Sequence, residues 1–328
     1  MLIHLHASAV AAAATGETAE RSADCLDLLL RMHHEGHHLI SVAPEDVARF
    51  TSLRSHLSRR AKSALLHVQA KAAEILRIRA SVRWHLELGV GDAFDGGAHP
   101  RLGGAWVIRA PLHHFDRTTR AGRSVLMGEN LTDVSFYIEL GYLALAARTW
   151  RNIVLHYEQV PGGGSTFASL FEHHAGEERI LLAIADSDRK QPEGPPGSTW
   201  RELEKRSKKD GQERRGYQRA RAIHTREAEN LLSLDVYDHV FRSSNAKDPR
   251  LATVRELRRV GNAGLAHADL KASLGEHVLE QVLRWLQRER PRRAAEVAGL
   301  FGLPGDMALA ELCDEIIAWG CAFPEMLS

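Results

Sequence analysis

The stretch SVLMGENLTD, residues 124–133, decides the fold, because a short apolar run ends there in an acidic residue and leads into a helical pattern. RILLAIADSD, residues 179–188, repeats this plan with a strongly apolar segment that is typical of a buried strand. NIVLHYEQV, residues 152–160, lies between them as another strand candidate. Strands separated by helical patterns predict βαβ units and a parallel sheet.

Outward from this core, the sequence predicts an α/β protein in three parts. Residues 1–118 form an N-terminal domain of unknown role, α-rich or α/β, in which residues 61–88 are one long helix or a pair of helices. Residues 119–247 form the domain that holds the parallel sheet. Residues 248–328 are a helical region that completes the same site.

Acidic residues follow two of the predicted strands. Glu129 ends the first strand, and Asp133 lies one helical turn later. Asp186 and Asp188 end the third strand, where a spacing of two predicts that both point to one face. The carboxyl ends of parallel strands meet at one edge of the sheet, where ligands bind. Clustered carboxylates favour a divalent cation, so we expect two Mg²⁺ or Mn²⁺ ions about 3.5–4 Å apart, acting on a phosphodiester.

Four segments together resemble a known family. They are GENLTD (128–133), GGG (162–164), IADSD (184–188) and REAEN (226–230), in that order. This set resembles the Toprim domain of OLD-family nucleases, which occur among phage-defence proteins. The resemblance covers roughly 125 residues and implies a Rossmann-like parallel sheet that carries a two-metal nuclease site.

The resemblance also implies roles for individual residues. The implied metal ligands are Glu129, Asp133, Asp186, Asp188 and Glu229, with Glu227 as the alternative to Glu229. Glu129 and Asp186 are also implied to be catalytic, and Lys271 in ADLKASL is the candidate for a late lysine near the metals. The family usually has glycine directly after the first glutamate, where this chain has Asn130.

The choice between Glu227 and Glu229 is open on geometry. In a helix that begins near Arg226, the two side chains lie about 160° apart and do not face one metal together. Each borders the apolar stripe made by Leu231 and Leu232. The family pattern favours Glu229, with Asn230 as a hydrogen-bond donor that supports this ligand, and it leaves Glu227 as a charge at the helix N-terminus.

A basic run lies between the last two acidic segments. Residues 201–226 hold ten Lys or Arg against four Asp or Glu. The predicted phosphate contacts are Lys205, Arg206, Lys208, Lys209, Arg214 and Arg215. The alternative interpretation of such a run is a solvated helix.

Two other motifs have simpler interpretations. His34-Glu35-Gly36-His37-His38 satisfies the H-E-x-x-H pattern of zinc proteases, but Gly36 is typical of a helix C-terminus, after which the histidines diverge. GGGST (162–166) lacks the lysine of a P-loop, so its glycines are expected to let this turn approach the neighbouring carboxylate strand.

Composition narrows the class of protein. The net charge is +1, and no run approaches ~18 apolar residues, so we expect no membrane partner. Cys25, Cys313 and Cys321 form no CxxC pair, which is typical of a reducing compartment and predicts a cytoplasmic protein.

These patterns lead to two functional hypotheses. The first is a metal-dependent nuclease that cleaves DNA or RNA, as an effector of defence against phage. The second is a Toprim-like nucleic-acid-binding or regulatory subunit that is inactive without a separate ATPase or sensor partner. The sequence contains no P-loop, which agrees with an ATPase on another chain.

Overall fold

Short apolar segments form the strands of two main sheets, and longer segments form the helices around them. The computed structural model describes residues 1–101, 104–150, 152–209, 212–259, 261–303 and 305–326. The strands are β1 (Leu2–Leu5), β2 (Leu39–Val42), β3 (Trp84–Gly89), β4 (Ala98–Pro100), β5 (Trp106–Pro111), β6 (Ser124–Gly128), β7 (Val154–Leu155), β8 (Tyr157–Pro161), β9 (Leu181–Ala185), β10 (Lys208–Lys209), β11 (Gln212–Glu213), β12 (Gln218–Ala222) and β13 (Cys321–Ala322). The helices are α1 (Ala7–Ala14), α2 (Ala19–His34), α3 (Pro44–Ser52), α4 (Arg59–Ala70), α5 (Ala72–Ser81), α6 (Thr118–Ala121), α7 (Leu131–Ala147), α8 (Phe167–Gly176), α9 (Ser198–Ser207), α10 (Leu234–Ser244), α11 (Arg250–Leu257), α12 (Asn262–Leu265), α13 (Leu270–Leu274), α14 (Val278–Leu300) and α15 (Met307–Gly320).

The first sheet has five strands in the order β2-β1-β3-β5-β4. β2, β1, β3 and β5 run parallel, and β4 pairs antiparallel with β5. Three helices, α3, α4 and α5, connect β2 to β3. The N-terminal region is therefore α/β in the structure.

The second sheet has four parallel strands in the order β12-β9-β6-β8. The chain leaves β6 through α7 to reach β8 on one side, and it leaves β9 through α9 to reach β12 on the other. The strand order reverses between β6 and β9, which makes their carboxyl ends a topological switch point. Ligands bind at such a point in open α/β sheets.

Both faces of the second sheet are buried, as its apolar strands predict. On one face, Val125 and Leu181 pack with Phe167 and Phe171 of α8 and Leu203 of α9. On the other face, the strands join the large apolar core that extends to the first sheet and to the C-terminal helices. α7 packs there between the sheet and the pair α14 and α15.

The last helix described, α15, connects the two sheets. It contacts β1 and β3 of the first sheet as well as β9 and α7 of the second region. Its Trp319 is fully buried and donates from Nε1 to the Tyr217 carbonyl at 3.3 Å. Directly after α15, β13 pairs with β7.

The prediction of an α/β fold with parallel strands is confirmed, and residues 248–328 are mainly helical where they are described. The predicted helices over residues 61–88 are α4 and α5, but the end of that segment is strand β3, which the sequence analysis missed. The division into three domains at 118 and 247 stays a prediction. Among the described residues, no helix is both long enough and apolar enough to cross a bilayer.

Candidate metal centre

Glu129 and Asp186 meet at the switch point, because each directly follows one of the two central strands. Glu129 follows β6 and Asp186 follows β9, and the Asp186 backbone N–H donates to Glu129 Oε1 at 3.2 Å. The glycine turn after β8 lies against the same segment, since the N–H of Gly163 donates to the Glu129 carbonyl at 2.9 Å. The N–H of the preceding Gly162 donates to the Gly128 carbonyl at 2.7 Å, so the turn approaches the carboxylate strand as expected, while a Cβ on Gly162 would overlap the Phe167 ring.

Asp133 belongs to the first turn of α7 and is fixed there by Asn130. The Asp133 N–H donates to Asn130 Oδ1 at 3.0 Å, and the Asn130 N–H donates to Asp133 Oδ2 at 3.3 Å. This capping box satisfies two donors at the helix start.

Asp188 reaches this region by a different route from the one predicted. Strand β9 ends at Ala185, so the alternation of faces does not extend to Asp188, and that argument for a shared face is wrong. Asp188 has a positive φ of 54°, and a Cβ on Gly197 would collide with its carboxylate. Its N–H donates to the Arg226 carbonyl at 2.8 Å. Asp188 is nevertheless close enough to Glu129 to raise its pKa.

Glu227 and Glu229 both face Lys271, which corrects the prediction that they diverge. The segment is a short 3₁₀ turn, Ala228–Leu231, preceded by Glu227 in an extended conformation, and not a helix that begins near Arg226. Lys271 Nζ lies 3.7 Å from Glu227 Oε2 and 3.6 Å from Glu229 Oε2. The prediction that Leu231 and Leu232 turn toward the core is confirmed.

Asn230 attaches the lysine-bearing segment to this turn. Its Oδ1 accepts from the Glu227 N–H at 3.1 Å, and its Nδ2 donates to the carbonyls of Leu265 at 2.7 Å and Ala268 at 3.0 Å. The sequence analysis expects Asn230 to donate a hydrogen bond in support of the Glu229 ligand, whereas its hydrogen bonds in the structure join backbone groups of two segments. The contact joins residues more than 30 positions apart, and no local pattern reveals it.

The carboxylates of this cluster hold protons more tightly than usual. Burial, with Asp188 and Asp133 nearby, raises the pKa of Glu129 to about 7. Burial also raises the pKa of Glu229 to about 7 and that of Asp133 to about 6. The pKa of Asp186 lies well above its usual value, because burial and then Asp133 and Glu129 disfavour its charge.

Lys271 supplies positive charge among these side chains. Burial lowers its pKa, but Glu229 and Glu227 raise it, and the net shift is upward. The ammonium group therefore keeps its proton. Asp186 and Asp133 also attract it.

The donor set fits a hard divalent cation. Asp186 Oδ1, Glu227 Oε2 and Glu229 Oε2 are buried without a hydrogen-bond partner, and such oxygens are the ligands that Mg²⁺ and Mn²⁺ prefer. Within the described ranges, no three Asp, Glu, His or Cys side chains are already arranged to hold one ion. Ligation by several of these carboxylates therefore requires their side chains to rotate.

The predicted phosphate contacts lie on α9 and on the β10–β11 hairpin with the residues that follow it. They are Lys205, Arg206, Lys208, Lys209, Arg214 and Arg215, and the side chain of Lys209 is outside the described part of the structure. Arg206 pairs with Glu202 at 3.0 Å, and Lys208 pairs with Glu204 at 3.2 Å. These i, i+4 pairs in α9 and at its C-terminal end are typical of a solvated helix.

The basic run lies at the other end of the strands from the carboxylates. α9 begins beside Asp188, where Gly197 precedes it, and runs back toward the amino end of the sheet. Arg215 lies just before β12, a strand of five residues that spans about 16 Å. Lys190 and Arg201 are the exposed cations nearer to the carboxylates, and Arg201 Nε donates to the Gly197 carbonyl at 3.4 Å.

The H-E-x-x-H pattern is a helix end, as expected. α2 ends at His34, and Gly36 follows it with a φ of 71° before strand β2.

Comparison of the chain with known protein families, curated proteins and solved structures gave no match.

Proposed function

We propose that this chain is a divalent-metal-dependent nuclease with a Toprim-like catalytic region that hydrolyses phosphodiester bonds of DNA or RNA. The observation that carries the proposal is the cluster of Glu129, Asp133, Asp186 and Glu229 around Lys271 at the switch point of a parallel sheet. Buried carboxylate oxygens without a donor are costly, and a cation-binding role accounts for them.

The chain's own residues divide the remaining work. The carboxylates named above, with Asp188 and Glu227 beside them, would hold Mg²⁺ or Mn²⁺ ions, which would supply Lewis acidity and a more acidic water. Glu129, whose pKa burial raises to about 7 in the metal-free cluster, would be the residue that accepts a proton from the attacking water. Lys271 stays protonated and stabilises negative charge on the phosphate oxygens.

The direct test is incubation of the purified protein with plasmid DNA, total RNA and tRNA, each with Mg²⁺, with Mn²⁺ and with EDTA. We expect cleavage of at least one substrate, only in the presence of a divalent ion. Metal and nucleic-acid binding without turnover would support the regulatory-subunit hypothesis. A role in phage defence stays a prediction that follows from the resemblance alone.

Glu229→Gln is expected to weaken Mn²⁺ binding roughly tenfold or more, and by more than Glu227→Gln does. Glu229 is the more buried of the two, at 2% exposed. Glu227 lies next to Arg226, whose Nε is 3.8 Å from Glu227 Oε1 and competes for its charge. Calorimetric titration of Mn²⁺ into both variants measures the difference. A larger loss in Glu227→Gln would reverse the assignment.

The position of the exposed cations predicts where nucleic acid binds. Charge reversal at Lys190 and Arg201 is expected to weaken binding of nucleic acid. It is also expected to reduce the slope of log affinity against log salt concentration by the equivalent of about one or two phosphate contacts. The matched reversal at Lys205, in the last turn of α9, and at Lys208, directly after it, is expected to do less. Fluorescence anisotropy at several salt concentrations, with Ca²⁺ in place of Mg²⁺, compares the two. If charge reversal at Lys205 and Lys208 reduced the affinity for nucleic acid more, the phosphate contacts would have to be assigned to the basic run instead.

A further inference from the structure

Lys271 lies between two carboxylates of the candidate metal centre. Its Nζ is 3.7 Å from Glu227 Oε2 and 3.6 Å from Glu229 Oε2, so the ammonium group faces both oxygens at once. Both oxygens are buried, and neither has a hydrogen-bond partner. Asp186 and Asp133 also attract the ammonium group. In this structure the two glutamates are therefore directed at an ammonium ion.

The charges that surround this ammonium group are mostly negative. Arg226 lies beside Glu227, with Nε 3.8 Å from Glu227 Oε1, but its guanidinium group already pairs with Asp269 at 2.9 Å. Within the described part of the chain, Lys271 is the one cationic side chain within 4.0 Å of the Glu229 carboxylate. Lys271 therefore supplies most of the positive charge that these two glutamates contact.

A divalent ion and this ammonium group compete for the same two oxygens. Mg²⁺ lies about 2.0–2.1 Å from its oxygen ligands, so an ion on Glu227 Oε2 or Glu229 Oε2 would lie within about 6 Å of the present position of Nζ. Two cations at that separation repel each other strongly in a partly buried site. The ammonium group must therefore move outward before these oxygens bind a metal ion.

The side chain of Lys271 can move while its backbone stays in place. Arg226 donates to Asp269 Oδ2 at 2.9 Å, and the Ala272 N–H donates to Asp269 Oδ1 at 2.9 Å, so the start of α13 is fixed on both sides of Lys271. The lysine side chain is 37% exposed and has a flexible four-carbon stem. Rotation of this stem moves Nζ toward solvent without breaking either hydrogen bond.

We propose that Lys271 is an internal counter-cation, which neutralises Glu227 and Glu229 in the metal-free protein and gives way to a divalent ion when one binds. The inference rests on the proposed function, because it requires that these carboxylates bind a metal. After displacement, the ammonium group is available to a phosphate oxygen of the nucleic acid. Metal binding and phosphate binding are then coupled through one side chain. A nucleic acid that arrives before the metal finds Lys271 engaged with the glutamates.

Calorimetric titration of Mn²⁺ into the metal-free protein at pH 7.5, without nucleic acid, tests the proposal. Lys271→Met removes the competing charge and keeps an apolar stem, so its Kd for Mn²⁺ is expected to be lower than that of the wild type by about fivefold or more. Lys271→Arg keeps the charge and is expected to bind Mn²⁺ no more tightly than the wild type. Lys247→Met, at an exposed position after α10, is the matched control and is expected to keep the wild-type Kd.

A double-mutant cycle separates direct competition from repulsion at longer range. If Lys271 competes for the Glu229 oxygen, the gain in Mn²⁺ affinity from Lys271→Met is expected to shrink by about half or more, on a logarithmic scale, in the Glu229→Gln background. Repulsion from a distance would leave that gain unchanged, because the charge of Lys271 is removed in both backgrounds.

Thermal unfolding in EDTA supplies a readout that needs no metal. Lys271→Met is expected to lower Tm by about 2 °C or more relative to Lys247→Met, because the glutamates lose their counter-cation. Saturating Mn²⁺ is expected to remove this difference, since the ion then neutralises the same carboxylates.

The outcomes distinguish this inference from the proposed function. If Lys271→Met bound Mn²⁺ no more tightly than the wild type, if its gain were unchanged by Glu229→Gln, or if its Tm in EDTA matched that of Lys247→Met, the counter-cation role would be overturned while the metal centre stood. Kd values for Mn²⁺ above about 10 mM in both the wild type and Lys271→Met would overturn the metal centre itself.

Discussion

Asp186→Asn is expected to lower phosphodiester cleavage about a thousandfold or more, while the protein stays folded. Asp186 is 6% exposed, and one of its carboxylate oxygens has no hydrogen-bond donor. The negative charges of Asp133 and Glu129 act on this carboxylate and raise its pKa. The amide keeps the shape but removes a charge that the metal ions require. Initial cleavage rates with Mg²⁺ and with Mn²⁺ measure the effect.

The same variant has a distinguishing stability effect. Because the pKa of Asp186 is raised in the folded state, ionisation of this carboxyl group destabilises the fold at neutral pH. In EDTA, the neutral amide variant is therefore expected to unfold at the same urea concentration as the wild type or at a higher one. Asp24→Asn, at an exposed position on α2, is the control for both measurements. Wild-type cleavage by Asp186→Asn would show that the metal centre is assigned wrongly. A large loss of stability would attribute the lost activity to the fold instead.

Acid is expected to unfold the protein through a set of buried histidines. Burial lowers the pKa of His4, His33 and His85 to about 3, and that of His38 well below its usual value. These rings bind protons near pH 6.5 in the unfolded chain but not in the folded one. Their contribution is therefore complete above about pH 6.5 and is lost as the pH falls toward 3. Together they cost about 5 kcal/mol per pH unit, against a typical total stability of about 5–15 kcal/mol.

The buried carboxylates act in the opposite direction. Glu129 and Glu229 have a raised pKa of about 7, so they stabilise the fold as the pH falls to 4.5 and add nothing below it. The loss of stability is therefore expected to be shallower above about pH 4.5, where these two carboxylates offset part of it, and steeper below that pH. Urea unfolding in EDTA at successive pH values locates it.

His33→Met isolates one of these histidines. His33 is fully buried, and methionine does not ionise. Between pH 6 and 4, the slope of the unfolding free energy against pH is therefore expected to decrease by the amount that corresponds to about one bound proton. The exposed His277→Met is the control, with the wild-type slope. Equal slopes for the two variants would contradict the role of burial.

The sequence predicted the parts of this site that depend on local pattern. Glu129 and Asp186 follow apolar strands, and the carboxyl ends of parallel strands meet, so their encounter needs only the strand assignment. Asp133 follows from its position in the first turn of α7. These residues lie where the analysis expected them.

The remaining features depend on contacts that sequence spacing does not encode. Glu227 and Glu229 share a direction because their segment is a 3₁₀ turn fixed by Asn230, whose partners lie beyond residue 264. Strand β3 escaped prediction because His85 and Glu87 put polar groups on a buried face. The basic run was expected beside the carboxylates from its place in the chain, but α9 carries it to the opposite edge.

The packing of α15 has a consequence for how the protein is made. This helix contacts β1, which precedes it by about 300 residues, so part of the core of the first sheet stays uncovered until residues 307–320 have been synthesised. At ~5–20 residues per second, that interval is roughly 15 to 60 s, during which apolar strands are exposed at the ribosome. Contacts of such high sequence separation also slow folding after release. The first sheet is thus completed late, and its apolar surface stays open longer than that of a sheet closed by local contacts alone.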